Sequence, residues 1–291
     1  MAEETQNTVR AGPAGWSYDD WKGIVYPERM PRSLHPLELL SEWFDAIEVN
    51  ATFYRPANPR WCESWMKKVA KNPQFRFSAK LQQEFTHERQ QWPDDATVAR
   101  FCDGLRPLKD AGMLGALLAQ FPWSFKRTVD NRKWLARLVE AFAGWPLVFE
   151  LRHMSWECPE FFEELSQRNL AFCNIDQPLF DGSIAPTAYV TAPPGYVRFH
   201  GRNYETWFND NAGRDQRYDY LYNEDELAPW VDRINAMKNR VNDLFVITNN
   251  HYRGQAVVNA LEIQAAIGHA RYTLPGHLVD AYPRLKRLLR E

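Results

Sequence analysis

Short apolar segments carrying polar residues two apart recur along the chain, and stretches of helical period separate them, an alternation that leaves few folds open. In YVRFH, 196–200, Val197 and Phe199 alternate with Arg198 and His200. A strand here sends two apolar side chains one way and a guanidinium and an imidazole the other. The same period pairs Glu48 with Asn50 in AIEVN, Ser78 with Lys80 in FRFSAK, Glu150 with Arg152 in LVFELR and Asn174 with Asp176 in AFCNID. If these polar faces converge they line one interior, and helices cover the apolar faces.

Strands are predicted within 10–17 and at 46–50, 75–81, 114–121, 147–152, 171–176, 196–200 and 244–248. Helices are predicted near 36–44, 59–70, 95–111, 131–142, 159–168, 225–239 and 254–267. Strict strand-helix alternation argues a parallel sheet with helical crossovers, and eight strands of this kind predict an α/β fold: a single (β/α)8 TIM-type barrel with its site at the C-terminal strand ends. An open doubly wound sheet lacks its GxGxxG after the first strand. Residues 1–9 read as a mobile polar arm, 10–267 as the barrel domain, and 268–291 as a tail packing on the barrel through Leu285, Leu288 and Leu289. The polar, aromatic segment 203–222 reads as a long insertion after strand seven, and AYVTA, 188–192, as a short extra strand or a lid.

A formal net charge of −2 provides no global positive field for nucleic acid or an anionic membrane. The four cysteines, Cys62, Cys102, Cys158 and Cys173, form no CxxC pair for a metal or redox role. With no signal peptide and no apolar run near 18 residues, a cytoplasmic protein without a membrane partner is expected. The 12 Trp, 12 Tyr and 17 Phe residues suit core packing and the walls of a pocket for a planar ligand.

The strand ends carry a resemblance. AIEVNATFYRPAN, FRFSAK, VFELRHMSW, YVRFHGRN and TNNHYRGQAVVNAL resemble, in order and spacing, the motifs of the YecE-like family, catalogued as domain of unknown function 72. The similarity covers about residues 10–267. It implies a barrel, in a family whose activity is not established. Thr248 in TNNH, where the family more often has Phe, and the aromatic 203–222 segment depart from the pattern at the substrate-facing rim.

At that rim His200 is expected to titrate near neutrality and transfer protons, with Glu48, Glu150 and Asp176 as carboxylate partners. Arg198, Arg202 and Lys80, joined by Arg152, suit an anion clamp. Lys80 forms a Schiff base if its pKa is depressed. Asn50, Asn249 and Asn250 suit polar substrate groups, while Trp16, Tyr54, Trp156 and Trp207 suit stacking on a ring. The plain structural alternative is a network in which Arg152, Arg198 and Lys80 neutralise Glu48 and Glu150.

Zinc or manganese held by Glu48, Glu150, His153, Asp176 and His200 is the metal alternative. The guanidinium groups of Arg152 and Arg198 beside those ligands repel a cation, so no metal or other cofactor is expected. GxSxG and GxxxxGK[ST] motifs are lacking. The reading is therefore an enzyme doing metal-independent acid-base chemistry on a small anionic substrate, phosphorylated or sugar-acid-like. The alternatives are a metal-dependent phosphodiesterase or endonuclease-like hydrolase, and a non-catalytic module binding a ligand or nucleic acid. For nucleic acid the rim offers Arg152, Arg198, Arg202, Arg214 and Arg217 with Tyr204, Trp207 and Tyr218.

Overall fold

The strand at Leu114–Gln120 is buried along nearly its whole length, as an apolar run with paired neighbours and covered faces must be. A computed structural model describes residues 7–207, 214–268 and 272–290. Its strands are β1 (Thr8–Pro13), β2 (Ala46–Val49), β3 (Arg76–Lys80), β4 (Leu114–Gln120), β5 (Leu147–Glu150), β6 (Ala171–Asp176), β7 (Gly195–Phe199) and β8 (Asp243–Thr248). They form one sheet in the order β1-β8-β7-β6-β5-β4-β3-β2, and every pairing is parallel.

The intervening helices are α1 (Pro36–Leu40), α2 (Pro59–Lys68), α3 (Gln83–Thr86), α4 (Asp95–Asp110), α5 (Val129–Ala141), α6 (Pro159–Gln167), α7 (Arg214–Arg217), α8 (Glu224–Lys238), α9 (Gln255–Ala266) and α10 (Gly276–Ala281). This is a (β/α)8 barrel. It closes between β1 and β2 through the bridge of Ala14 with Glu48, where Gly15 N donates to Glu48 O at 2.8 Å. Gly12 permits that closure: a Cβ there would stand 1.8 Å from the carbonyl oxygen of Ala46.

The outer faces of β1, β7 and β8 carry Val9, Ala11, Val197, Phe199, Leu244 and Val246 against Leu227, Trp230, Ile234 and Met237 of α8. Those four helix residues recur at helical spacing, and burying each large side chain stabilises by roughly 1.5–3 kcal/mol. A capping box of Asn223 and Glu226 starts α8 at its N-terminus. In α9 every residue from Ala256 to Gln264 is buried, because the tail covers its outer side. Leu278 and Leu285 are buried there, and Glu262 accepts from Arg284 and Arg287.

Three details differ from the sequence reading. β1 starts at Thr8, inside the segment read as an arm, while residues 1–6 lie outside the described residues. The 188–192 segment forms no strand. Instead Tyr189 N and Thr187 Oγ1 donate to Asn174 Oδ1, lacing the connection over the outside of β6.

β6 is therefore turned the opposite way from the expectation. Cys173 and Ile175, in register with Tyr196 and Arg198, face the interior, and Asn174 and Asp176 face the helices. Of the segment read as an insertion, residues 208–213 and the side chain of Arg214 lie outside the described residues.

Candidate active site at the C-terminal strand ends

The alternation of β7 sends Tyr196 and Arg198, followed by His200, into the barrel, where they meet Glu48 from β2 and Glu150 from β5. Arg198 bridges the two carboxylates: NH2 donates to Glu48 Oε1 at 2.7 Å and NH1 to Glu150 Oε2 at 2.5 Å. Tyr196 Oη lies 3.0 Å from Glu48 Oε2 and 2.8 Å from Ser78 Oγ, donating to the carboxylate and accepting from the serine. Glu150 Oε1 accepts from Arg152 Nε at 2.9 Å and lies 3.0 Å from His200 Nε2. Glu48, Glu150, Arg198 and His200 are all buried. Two carboxylates are tolerable at that depth because each is paired and hydrogen-bonded.

This environment decides protonation. Burial works against the charge on Glu150, yet Arg198, His200 and Arg152 hold its carboxyl well below the usual range. Burial pushes His200 down to about 3, with Glu150 opposing and Arg152 and Arg198 reinforcing. His200 is thus a neutral imidazole, not the group titrating near neutrality that its residue type suggested. The nearly neutral titration belongs to Lys80, lowered to about 7 by burial and then by Arg198, with Glu48 and Glu150 opposing.

Beside the network lies a cavity of about 340 Å³. Trp16, Tyr18, Phe53, Tyr54, Tyr218 and His251 supply rings to its lining, and Lys80, Asn50 and Asn249 supply polar atoms. Asn249 also reaches the network, with Nδ2 3.2 Å from His200 Nδ1. Lys80 Nζ stands 4.1 Å from the centre of the Phe53 ring. Among the described residues, no carboxylate is within ion-pair distance of that amine.

The β1 and β8 loops build one wall together. Gly15 turns the chain out of β1 at φ +83, where a Cβ would meet Tyr18 Oη at 2.6 Å. Tyr18 donates to Ala14 O at 2.7 Å and stacks on His251, with ring centres 4.5 Å apart. Trp21 Nε1 donates to His251 O at 2.7 Å and fixes the second loop against the first.

The expected site residues thus divide into groups. Lys80, Asn50, Asn249, Trp16 and Tyr54 meet at the cavity, and Glu48, Glu150, Arg152, Arg198 and His200 meet in the network beside it. Asp176 is not brought to His200 as a side-chain partner. It accepts from Arg202 Nε and NH2 at 2.9 and 2.6 Å, from Tyr222 Oη at 2.5 Å and from Trp230 Nε1 at 2.6 Å. Arg202 is committed to that pair instead of a clamp, because β6 turns Asp176 outward.

Asn250 is likewise structural, donating to Tyr220 O and Asn259 Oδ1 at 2.8 Å each. Trp156 is buried: the turn after β5 folds it onto Phe125, where Nε1 donates to Phe125 O at 2.6 Å. Trp207 lies near the network, its ring 5.6 Å from the Arg152 guanidinium carbon. Sequence reasoning left Tyr196 and Phe53 out of the site and named Tyr218 only for the nucleic-acid alternative. The period of YVRFH pointed to Tyr196, and the aromatic pair after β2 to Phe53.

Glu48 and Glu150 are occupied by Arg198, Tyr196, Arg152 and His200, so a metal would have to displace a guanidinium from them. Among the described residues no group of three or more His, Cys, Asp or Glu side chains is placed to hold a metal ion. No helix of the described residues is long and apolar enough to cross a membrane.

Compared with known proteins, residues 10–281 match the family model described as protein of unknown function DUF72. The chain belongs to the DUF72 family. Its similarity to the UPF0759 protein YunF of Bacillus subtilis (strain 168) is 29% identity over 268 residues, covering 88% of this chain and 93% of that protein. A DUF72 crystal structure from Thermotoga maritima MSB8 shares 33% identity and superposes with a TM-score of 0.77, covering 90% of this chain and all of its own. A second, from Enterococcus faecalis V583, shares 25% identity with a TM-score of 0.78, covering 92% and 98% of the two chains. The family that the strand-end motifs imply is thereby the family found, and these DUF72 relatives share the barrel.

Proposed function

We propose that this DUF72 protein is a metal-independent barrel enzyme that transfers protons on a small anionic substrate, phosphorylated or sugar-acid-like, bound in the cavity beside Lys80. One observation carries the reading: a lysine with no carboxylate partner among the described residues lines a small-molecule-sized cavity, and burial brings its pKa to about 7. An amine that is part neutral and part protonated at neutral pH serves either direction of a proton transfer. In this reading Lys80 takes the role that His200 had in the sequence.

The charge around the cavity supports an anion. Among the described residues, the carboxylates that Lys80, Arg152 and Arg198 face are Glu48 and Glu150, His200 being neutral, and an anionic substrate balances the difference. Arg152 NH1 makes no hydrogen bond among the described residues. Asn249 spends Nδ2 on His200, leaving Oδ1 to accept from a substrate hydroxyl. The rings around them suit a sugar or other flat ligand face.

The test is a thermal-shift screen of phosphates, sugar acids and nucleotides on chelator-treated protein, with metal content followed by mass spectrometry. One class of anion is expected to stabilise the wild type but not Lys80→Met. Stoichiometric zinc or manganese that disappears in Glu150→Gln would overturn metal independence.

A further inference from the structure

We infer that Lys80 forms an imine with its substrate, so that the molecule taken into the cavity is a small aldehyde or ketone bearing an anionic group. This rests on the cavity being a site for a small anion, and it adds the first covalent step.

The placement of the amine carries the inference. A lysine serving as counter-ion to Glu48 or Glu150 would touch one of them. Arg198 and Arg152 already do so, and Lys80 Nζ sits over the Phe53 ring instead. A ring face attracts the ammonium but accepts no proton from it in a directed bond, so among the described residues the amine is tied to no acceptor. Its backbone is held all the same: Thr52 Oγ1 donates to Lys80 O at 2.7 Å, anchoring the end of β3 to the turn that carries Phe53. Asn50 lines the same cavity and offers its amide NH2 to the oxygen of a reacting carbonyl. The lowering of the Lys80 pKa to about 7 supplies neutral amine at physiological pH.

The step balances without any oxidant or reductant. The Nζ lone pair attacks the carbonyl carbon, the π pair moves to oxygen, and the proton released from nitrogen passes to that oxygen, giving a carbinolamine. Its hydroxyl then leaves as water with a proton from solvent, while the nitrogen lone pair closes the C=N bond.

The experiment uses the full chain at pH 7 with pyruvate or glycolaldehyde phosphate and sodium cyanoborohydride, which reduces an iminium to a stable secondary amine. Peptide mass mapping is expected to find one adduct per chain, on Lys80, formed at least about tenfold faster than on exposed lysines such as Lys126. The adduct is expected to vanish in Lys80→Arg and persist in Lys126→Arg. Should Lys80→Arg not fold, the wild-type map decides alone.

Labelling spread over the exposed lysines, or no adduct on Lys80 with either probe, overturns the imine. If Lys80 stays unmodified while Lys80→Met still abolishes stabilisation by an anion, the imine falls and the proton-transfer reading stands. An adduct on Lys80 without stabilisation by any anion upholds the imine and removes the anion requirement.

Discussion

His200 Nε2 lies 3.0 Å from Glu150 Oε1 inside the barrel. Nδ1 faces the Asn249 amide nitrogen at 3.2 Å, while Nε2 meets Arg152 NH2 and Arg198 NH1 at 3.2 and 3.3 Å as well as the carboxylate. The ring's expected tautomer carries its proton on Nε2, donating to Glu150 and accepting from the amide. Burial lowers its pKa to about 3, so nitrogen-15 chemical shifts are expected to report the same neutral tautomer from pH 5 to pH 8. An inflection near 6.5 would refute this.

Acid stability follows with a definite sign. The unfolded chain protonates His200 near its ordinary 6.5, while the folded chain does so only near 3. The stability that His200 contributes is therefore undiminished above about pH 6.5 and falls as pH drops from there towards 3. Glu150, held low in the fold, adds a loss of the same sign below its ordinary 4.5. In urea melts His200→Gln is expected to flatten the upper part of that slope, between about pH 6.5 and 4.5.

Lys80 has its own window. Its folded value is about 7 against an ordinary 10.5, so the unfolded chain binds the extra proton between those limits. Stability from this group rises with pH across that window, and the cost of burying the ammonium is fully present below 7. Lys80→Met is expected to stabilise by several kcal/mol, up to about 5, at pH 6, with the gain gone by pH 10.5. Equal gains in urea melts at both pH values would contradict the assignment.

Arg198 separates two buried carboxylates. Arg198→Ala leaves Glu48 without its ionic partner and Glu150 with Arg152 alone, and is expected to cost about 3–5 kcal/mol in equilibrium unfolding. Combining Arg198→Met with Glu48→Gln and Glu150→Gln is expected to recover most of that loss. A triple variant no more stable than Arg198→Ala would mean that the ion pairs themselves, rather than the charges left behind, hold the fold.

Arg202 gives the contrasting case. Its pair with Asp176 ties the chain after β7 to the helix layer, so Arg202→Ala is expected to destabilise by about 1–3 kcal/mol. Stabilisation by anions in the thermal-shift screen is expected to survive. Its loss, with the fold intact, would return Arg202 to the substrate.

The barrel was legible because strand period and helix period alternate, and neither depends on distant contacts. Glu48, Glu150, Arg198 and His200 converge because β2, β5 and β7 each place their polar positions inward, as the period suggested. A period of two separates the faces of a strand without saying which is inner. β6 shows the gap, since Asn174 and Asp176 find their partners in Thr187, Tyr189, Tyr222 and Trp230, far along the chain. The protonation of His200 was hidden for a similar reason: it depends on depth and on guanidinium groups from other strands. That Lys80 lacks a carboxylate partner is visible only once Arg198 and Arg152 are seen occupying both acids.

The meeting of β1 and β2 has a mechanical consequence. The seam rests on a single bridge, and the cavity straddles it, with Gly15 to Tyr18 on one bank and Asn50 to Tyr54 on the other. A molecule lodged between those banks works as a clasp on the hoop of strands. Filling the cavity and tightening the barrel are then one event, and the backbone amides of β1 and β2 register it through slowed hydrogen exchange.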